Sequence, residues 1–170
     1  MDHPLHPATV HWPIAAISLT GGLDLLHAAA TSPMTSSYVA AAAKSIQFQI
    51  PLSMLPTLSH YTTIAALVTM VPSIVSGGSQ LLPLIQRDGL STSKAKTGVL
   101  HAAMNDVVFA ALTYNWWTRR NIPGFTPTPL NLALSGLVAM PMVLYSAKLG
   151  GDLVYTYGMG IGSSKAKKSQ

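Results

Sequence analysis

The sequence predicts an all-α integral membrane protein that folds as a four-helix bundle. Only 9% of its 170 residues are charged and 49% are hydrophobic, whereas soluble globular proteins carry about 25% charged residues. A soluble protein of this length needs a charged surface, and this chain has too few charges to cover one. Four mostly apolar stretches divide the chain, and each is long enough to cross the ~30 Å hydrocarbon core of a bilayer.

The predicted spans form a single membrane domain that covers residues 1–162. They lie at about residues 12–30, 57–85, 98–117 and 130–149. No Lys or Arg precedes the first span, so we expect a retained helix and not a signal peptide. The alanine-rich connection at residues 36–49 can form a short helix at the membrane interface. Residues 163–170 predict a basic, disordered tail.

The distribution of basic residues predicts the orientation. Four crossings would place both chain ends and the connection between the second and third spans on one side of the membrane, here called side A. This side holds Arg87, Lys94, Lys96, Lys148, Lys165, Lys167 and Lys168, and the opposite side, side B, holds Lys44, Arg119 and Arg120. The positive-inside rule then places side A, with both termini, in the cytosol or the mitochondrial matrix.

Side chains that can bind a cofactor gather at the side-A ends of the spans. Histidines open the first and third spans, and a carboxylate and two phenols follow a glycine pair after the fourth. Such groups can hold a metal ion, ligate a haem or relay protons. The predicted pocket residues are His6, His11, His101, Asn105, Asp152, Tyr155 and Tyr157. His11 and His101 are the candidate metal or haem ligands, although interfacial histidines also simply reach for lipid head groups.

A second histidine pair, His27 and His60, lies at the side-B ends of the first two spans. One pair at each face suggests two haems, since axial ligation by histidines of neighbouring helices is common. Diheme bundles usually draw both pairs from the same two helices, whereas here the helices differ. A single haem at side A is therefore the stronger interpretation.

Two carboxylates, Asp24 and Asp106, fall inside predicted spans, roughly 18 Å and 13 Å from side A. A carboxylate at such a depth costs several kcal/mol unless it faces a partner or a cavity. We expect no Lys or Arg at a matching depth, so protonation or a polar partner such as Asn105, Ser18 or Thr20 would have to compensate. A polar clasp between helices is favoured slightly over a proton path.

These motifs resemble those of an integral membrane family, domain of unknown function 2231. Members of that family open with His-Pro followed by Val-His-Phe-Pro, carry a histidine at the start of the third span, and close with Gly-Gly-x-Leu-Val-Tyr-x-His-Gly. The matching stretches here are residues 6–13, His101 and residues 150–158, with Tyr157 in place of the last histidine. Some relatives occur together with Rieske-type iron–sulfur domains, so the resemblance implies redox chemistry by association only.

Three functions are compatible with these features. The first is a redox protein that binds haem b or a metal ion at side A. The second is a non-catalytic accessory or assembly subunit of a larger membrane complex. The third is a binder of quinone, sterol or lipid, which Pro72 and the pair Gly77-Gly78 in the second span favour.

Membrane lipids are the expected partners, together with further copies of the chain or other membrane subunits. Nucleic-acid binding has no support, because the lysines of the tail are not combined with aromatic residues or a known nucleic-acid-binding motif. The chain has no cysteine, which excludes disulfides and cysteine nucleophiles. It also lacks the sequence motifs of hydrolases and kinases. Whether the protein is an enzyme stays open.

Overall fold

The computed structural model describes residues 5–159, which form helices and connections and no strand. The predicted all-α fold is therefore confirmed for this part of the chain. A helix forms its backbone hydrogen bonds within itself, which a membrane-spanning segment needs because hydrocarbon offers no hydrogen-bonding partner. The predicted tail at residues 163–170 lies outside the described residues.

The elements follow one another along the chain without a domain break. In order they are α1 (Leu5–Thr9), α2 (His11–Thr31), α3 (Ser36–Ser45), a 3-10 turn (Leu52–Met54), α4 (Leu55–Asp88), α5 (Ser93–Arg119), a second 3-10 turn (Pro123–Phe125), α6 (Pro129–Leu132), a π-helical segment (Ala133–Ala139) and α7 (Met140–Tyr155). The described chain thus holds more helices than the four that the sequence predicted. In particular, α3 lies within the alanine-rich connection.

Local signals set several of these boundaries. The hydroxyl of Thr92 accepts a hydrogen bond from the backbone N–H of Ala95 and caps the start of α5. Thr128 and Asn131 form a reciprocal capping box at the start of α6. Gly89 ends α4 with a φ of 69°, a conformation that glycine adopts at little cost.

The long helical stretches form a ring in which α2 packs on α4, α4 on α5, and α5 on α7, while α7 and the π-helical segment pack back on α2. In this ring, α2 and α5 stand diagonally opposite each other. His6 meets His101 at one end, and Asp24 meets Arg119 at the other, so α2 and α5 run in the same direction. Side A is from here on the end of the bundle that holds the connection between α4 and α5.

An apolar layer fills the middle of the bundle. It consists of Ile17, Ala66, Met70, Val108, Leu112, Ala139 and Val143, all nearly inaccessible to solvent. Every long helical stretch contributes to this layer. Burial of such side chains is the main source of packing stability within the bundle.

Three helical stretches are long and apolar enough to cross a membrane, namely His6–Thr31, Leu52–Asp88 and Pro129–Tyr155. Helix α5 has 27 residues, which suffices in length, but its composition is more polar. Two of its polar residues, Asn115 and Arg119, are fully buried against the other helices. The structure thus supports a membrane protein with three candidate spans, and the crossing by α5 stays a prediction.

The π-helical segment brings the last long stretch very close to α2. A Cβ atom added at Gly21 would lie 2.7 Å from the Cβ of Met140 and 2.9 Å from the carbonyl oxygen of Ser135. A Cβ atom at Gly136 would lie 2.6 Å from Leu25. Glycine at these two positions therefore allows the helices to approach one another.

Candidate functional site: a histidine-lined cavity

His6 and His101 lie next to each other at side A, with ring centroids 6.1 Å apart and ring planes at 88°. The ring of His6 packs against Gly77 of α4, and the ring of His101 packs against Gly150 of α7. A Cβ atom at Gly77 would lie 2.9 Å from Cε1 of His6, and one at Gly150 would lie 3.3 Å from Cε1 of His101. The two glycines therefore make room for the two imidazoles inside the bundle.

Main-chain carbonyl groups orient both imidazoles. Nδ1 of His6 lies 3.0 Å from the carbonyl oxygen of Ser73, and Nδ1 of His101 lies 2.9 Å from that of Ser146. Because a carbonyl oxygen only accepts, each Nδ1 carries the hydrogen and donates it. In the neutral ring, Nε2 then keeps its lone pair, ready to accept a hydrogen bond or to ligate a metal.

Asn105 supports this arrangement one helical turn after His101. Its side-chain amide donates to the carbonyl oxygen of His101 and to Oγ of Ser146, both at 2.7 Å. The same nitrogen is 3.5 Å from Nε2 of His101, a much longer contact. The amide hydrogens of Asn105 thus hold α5 to Ser146 of α7. Its Oδ1 atom accepts no hydrogen bond from the described residues.

A cavity of about 600 Å³ lies beside the imidazole pair, within the size range of small-molecule binding sites. Most of its wall is apolar, and Ile17, Met70 and Val143 of the apolar layer form its floor. Its polar wall residues include His6, His11, His101, Asn105, Asp106 and Tyr155. Within the described part of the chain, no Lys or Arg lines it.

The structure brings some of the predicted pocket residues together and leaves others apart. His11 lines the cavity with an exposed ring, but the histidine that contacts His101 is His6. Tyr155 is 87% exposed and lies at the cavity wall. Asp152 and Tyr157 lie off that wall, and Asp152 is paired with Lys148 at 2.8 Å.

No cluster of three or more His, Cys, Asp or Glu side chains suited to a metal ion occurs within residues 5–159. His6 and His101 could supply two ligands at most. Structural and catalytic zinc sites take three or four protein ligands, so this pair does not form one alone. A haem, whose porphyrin supplies four ligands, needs only the two axial positions.

The expectation that Asp24 has no cation near it is wrong. The guanidinium of Arg119 lies 3.1 Å from the carboxylate of Asp24, and both side chains have 0% exposure. The hydroxyl of Ser135 donates to the same carboxylate at 2.6 Å. Arg119 ends α5 and would by sequence alone lie in the side-B connection, but its long side chain folds back into the bundle.

The remaining donors of Arg119 are also satisfied. Its Nε donates to the carbonyl oxygen of Phe125 and one terminal nitrogen donates to that of Pro56, both at 2.9 Å. The other terminal nitrogen also donates to Oγ of Ser59 at 3.2 Å. A buried ion pair is tolerated when its remaining hydrogen-bonding groups are satisfied in this way. This Arg119 clasp therefore joins α2, α4, α5 and the π-helical segment.

Asp106 differs from Asp24 in its surroundings. Its side chain is exposed on the cavity wall. It forms no ion pair with any of the described residues, whereas Asp88 pairs with Arg87. A carboxylate at this depth that faces a cavity is a functional candidate.

The second histidine pair is not arranged like the first. The ring of His60 stacks on Phe125, with centroids 4.0 Å apart and planes at 5°, and its buried Nδ1 has no hydrogen-bond partner in the described chain. His27 is half-buried near the end of α2. Neither ring has the carbonyl-anchored arrangement seen at side A.

The fold is that of a helical membrane protein with three candidate spans, and a cavity large enough for a small molecule lies among its helices. The family comparison agrees with this class. The chain belongs to the family Predicted membrane protein (DUF2231), whose model matches residues 2–163 and so includes every residue of the cavity. The chain matches no curated protein and no solved structure.

Proposed function

We propose that this membrane protein binds an amphipathic small molecule whose head group donates hydrogen bonds. The observation that carries the proposal is the pair of anchored imidazoles, His6 and His101, on the wall of a largely apolar cavity. The apolar wall would hold the hydrocarbon part of the ligand. The imidazoles would bind its polar end.

Hydrogen-bond acceptors dominate the polar wall. Nε2 of His6 and Nε2 of His101 each present a lone pair, and Oδ1 of Asn105 and the carboxylate of Asp106 are acceptors too. A ligand that covers these acceptors must supply donors to them, because an acceptor that becomes buried without a partner costs about 1–3 kcal/mol. Hydroxyl and amine groups are such donors, and quinols, sterols and related lipids carry the first of them.

The test compares the ligand that remains on the purified wild type with that on the double variant His6→Ala/His101→Ala. Loss of two hydrogen bonds of about 1 kcal/mol each should lower the retained ligand at least ~10-fold. Mass spectrometry of organic extracts from equal amounts of protein measures this. His27→Ala serves as the control, because His27 lies off the cavity wall. Equal ligand on wild type and double variant, or none on either, refutes the proposal.

Haem b is the second candidate ligand. The favouring observation is that two imidazoles from different helices are anchored through Nδ1, as axial haem ligands commonly are. The wall is less suited to the two haem propionates, because it carries Asp106 and, in the described chain, no basic residue. A Soret band in the wild type that the double variant lacks would establish haem, and its absence from a folded wild type would remove this candidate.

We also propose that α5 crosses the membrane and that both chain ends lie inside, in the cytosol or the mitochondrial matrix. Its 27 residues span ~40 Å, and it packs along α4 and α7 as they do along their neighbours. The excess of basic residues on side A supports the orientation. Two polar side chains of α5, Asn115 and Arg119, are buried within the bundle, and Asp106 faces the cavity.

Single-cysteine labelling tests this topology cleanly, because the chain has no cysteine of its own. Ser91→Cys, before α5, should react with a membrane-impermeant maleimide only from the inside. Asn121→Cys, after α5, should react only from the outside. Both positions are exposed. Labelling of both from the same side would contradict the crossing.

Membrane lipids are the proposed partners of the outer surface, where large apolar side chains such as Trp12, Val68 and Leu137 are more than half exposed. Further copies of the chain, or a larger complex in which it is an accessory subunit, would cover the same surface. The mass of the particle on a native gel in gentle detergent distinguishes a monomer from these assemblies.

A further inference from the structure

We infer that the ligand of the cavity is a lipophilic cation, such as a long-chain amine in its ammonium form, and that Asp106 is its counter-charge. This inference rests on the proposed function of the cavity and adds the charge of the ligand to it. Three observations support it: the pairing of the other carboxylates, the depth of Asp106, and the composition of the wall.

The described part of the chain contains four carboxylate side chains, and three of them have a cation within the protein. Asp24 pairs with Arg119, Asp88 with Arg87, and Asp152 with Lys148. Asp106 is the remaining one, and it is also the carboxylate on the cavity wall. The missing positive charge therefore fits a cation that arrives with the ligand.

Asp106 lies far from both ends of α5, and its side chain is exposed on the cavity wall. It is the middle residue of α5, which begins at Ser93 and ends at Arg119. From the level of the His6 and His101 rings, it is five residues, or roughly 7.5 Å, further from side A. An anion at this depth is costly unless a proton or a cation accompanies it. A bound ammonium group supplies that positive charge.

The rest of the wall favours a cation over an anion. No Lys or Arg of the described chain lines the cavity, so no basic side chain competes for Asp106. Nε2 of His6 and Nε2 of His101 present lone pairs to the cavity, and a lone pair attracts a cation and repels an anion. Tyr155 adds an aromatic ring, which attracts cations through its π-face.

The experiment compares two probes of equal chain length, decylammonium and the neutral decanol. Binding is measured by equilibrium dialysis on the full chain in nanodiscs of zwitterionic phospholipid, with protein-free nanodiscs subtracted. The wild type should bind decylammonium more tightly than decanol. Asp106→Asn should weaken the binding of decylammonium about 10-fold or more, and change that of decanol less than about twofold.

Three further variants separate the roles of the residues. Asp106→Glu keeps the charge and should keep the preference for decylammonium. Unchanged binding of decanol to Asp106→Asn excludes a folding defect as the cause of its weaker binding of decylammonium. Asp152→Asn removes a carboxylate off the wall and should bind both probes as the wild type does. His6→Ala/His101→Ala should weaken the binding of both probes, because it removes two acceptors from the cavity wall.

The outcomes distinguish failure of this inference from failure of the cavity as a site. Decanol binding that depends on the imidazoles, without a preference for decylammonium or without an effect of Asp106→Asn, overturns the cationic ligand and leaves the proposed function standing. Binding of neither probe to the wild type overturns the inference together with the cavity as a site for such amphiphiles.

Discussion

Arg119→Ala is expected to destabilise the protein by about 3–5 kcal/mol, because it leaves the carboxylate of Asp24 buried without its cation. The carbonyl oxygens of Pro56 and Phe125 would lose their donors as well. Denaturant titration of the purified protein in detergent, followed by far-UV circular dichroism, measures the free energy of unfolding. The carboxylate of Asp24 accepts hydrogen bonds from Arg119 and from Ser135, which hold α5 and the π-helical segment to α2.

The neighbouring Arg120 provides a matched control. Its guanidinium lies 3.3 Å from the ring centroid of Trp117, so it is held by an aromatic surface and by no buried carboxylate. Arg120→Ala should therefore cost no more than about 1 kcal/mol. The double variant Asp24→Leu/Arg119→Leu should recover part of the loss, since it removes both buried charges together. Equal effects of Arg119→Ala and Arg120→Ala would contradict the structural role of the clasp.

Gly21→Ala is expected to destabilise the protein by about 1–3 kcal/mol through overpacking. The added Cβ would lie 2.7 Å from the Cβ of Met140 and 2.9 Å from the carbonyl oxygen of Ser135, and neither atom can move without its backbone. The last helical stretch would have to move away from α2. That movement would also disturb the hydrogen bond from Ser135 to Asp24.

The adjacent glycine serves as the control for this substitution. A Cβ atom at Gly22 has no other atom within 4 Å. Gly22→Ala should leave the packing unchanged and stabilise α2 by up to about 1 kcal/mol, since alanine favours the helix. The same denaturant titration compares the two variants. If they have the same stability, α2 and the π-helical segment are not packed as closely as the structure shows.

The sequence predicted the all-α membrane fold and the positions of the long helices well. The predicted spans at residues 12–30 and 98–117 fall within α2 (His11–Thr31) and α5 (Ser93–Arg119). Apolar stretches are a strong signal because a membrane helix must match the hydrocarbon thickness along its whole length. The π-helical segment carries no comparable signal, since it depends on the contacts of Gly21 and Gly136 with neighbouring helices.

The details of the site depend on helix rotation, which one sequence does not specify. His6 and His11 are five residues apart, so their directions around a helix differ by about 140°. The sequence placed both near side A but could not tell which one meets His101. The anchors of the imidazoles are the carbonyl oxygens of Ser73 and Ser146. Every residue has a carbonyl group, so the sequence does not indicate which carbonyl oxygens anchor the imidazoles.

Arg119 shows the same limit for charges. A basic residue at the end of an apolar stretch normally extends to the lipid head groups. Here its partner Asp24 is 95 residues away in sequence, on the diagonal helix, and only the assembled bundle brings the two together. Hydropathy reports how apolar a stretch is. It does not report which of its few polar side chains turn inward.

The apolar layer between the cavity and the Arg119 clasp has an electrical consequence. Ile17, Met70 and Val143 of this layer form the floor of the cavity, and its other residues lie between that floor and the clasp. Water and ions avoid such a layer because nothing there replaces their hydration. We therefore expect the bundle to conduct no ions, and a ligand of the cavity to enter and leave at the side-A end of the bundle.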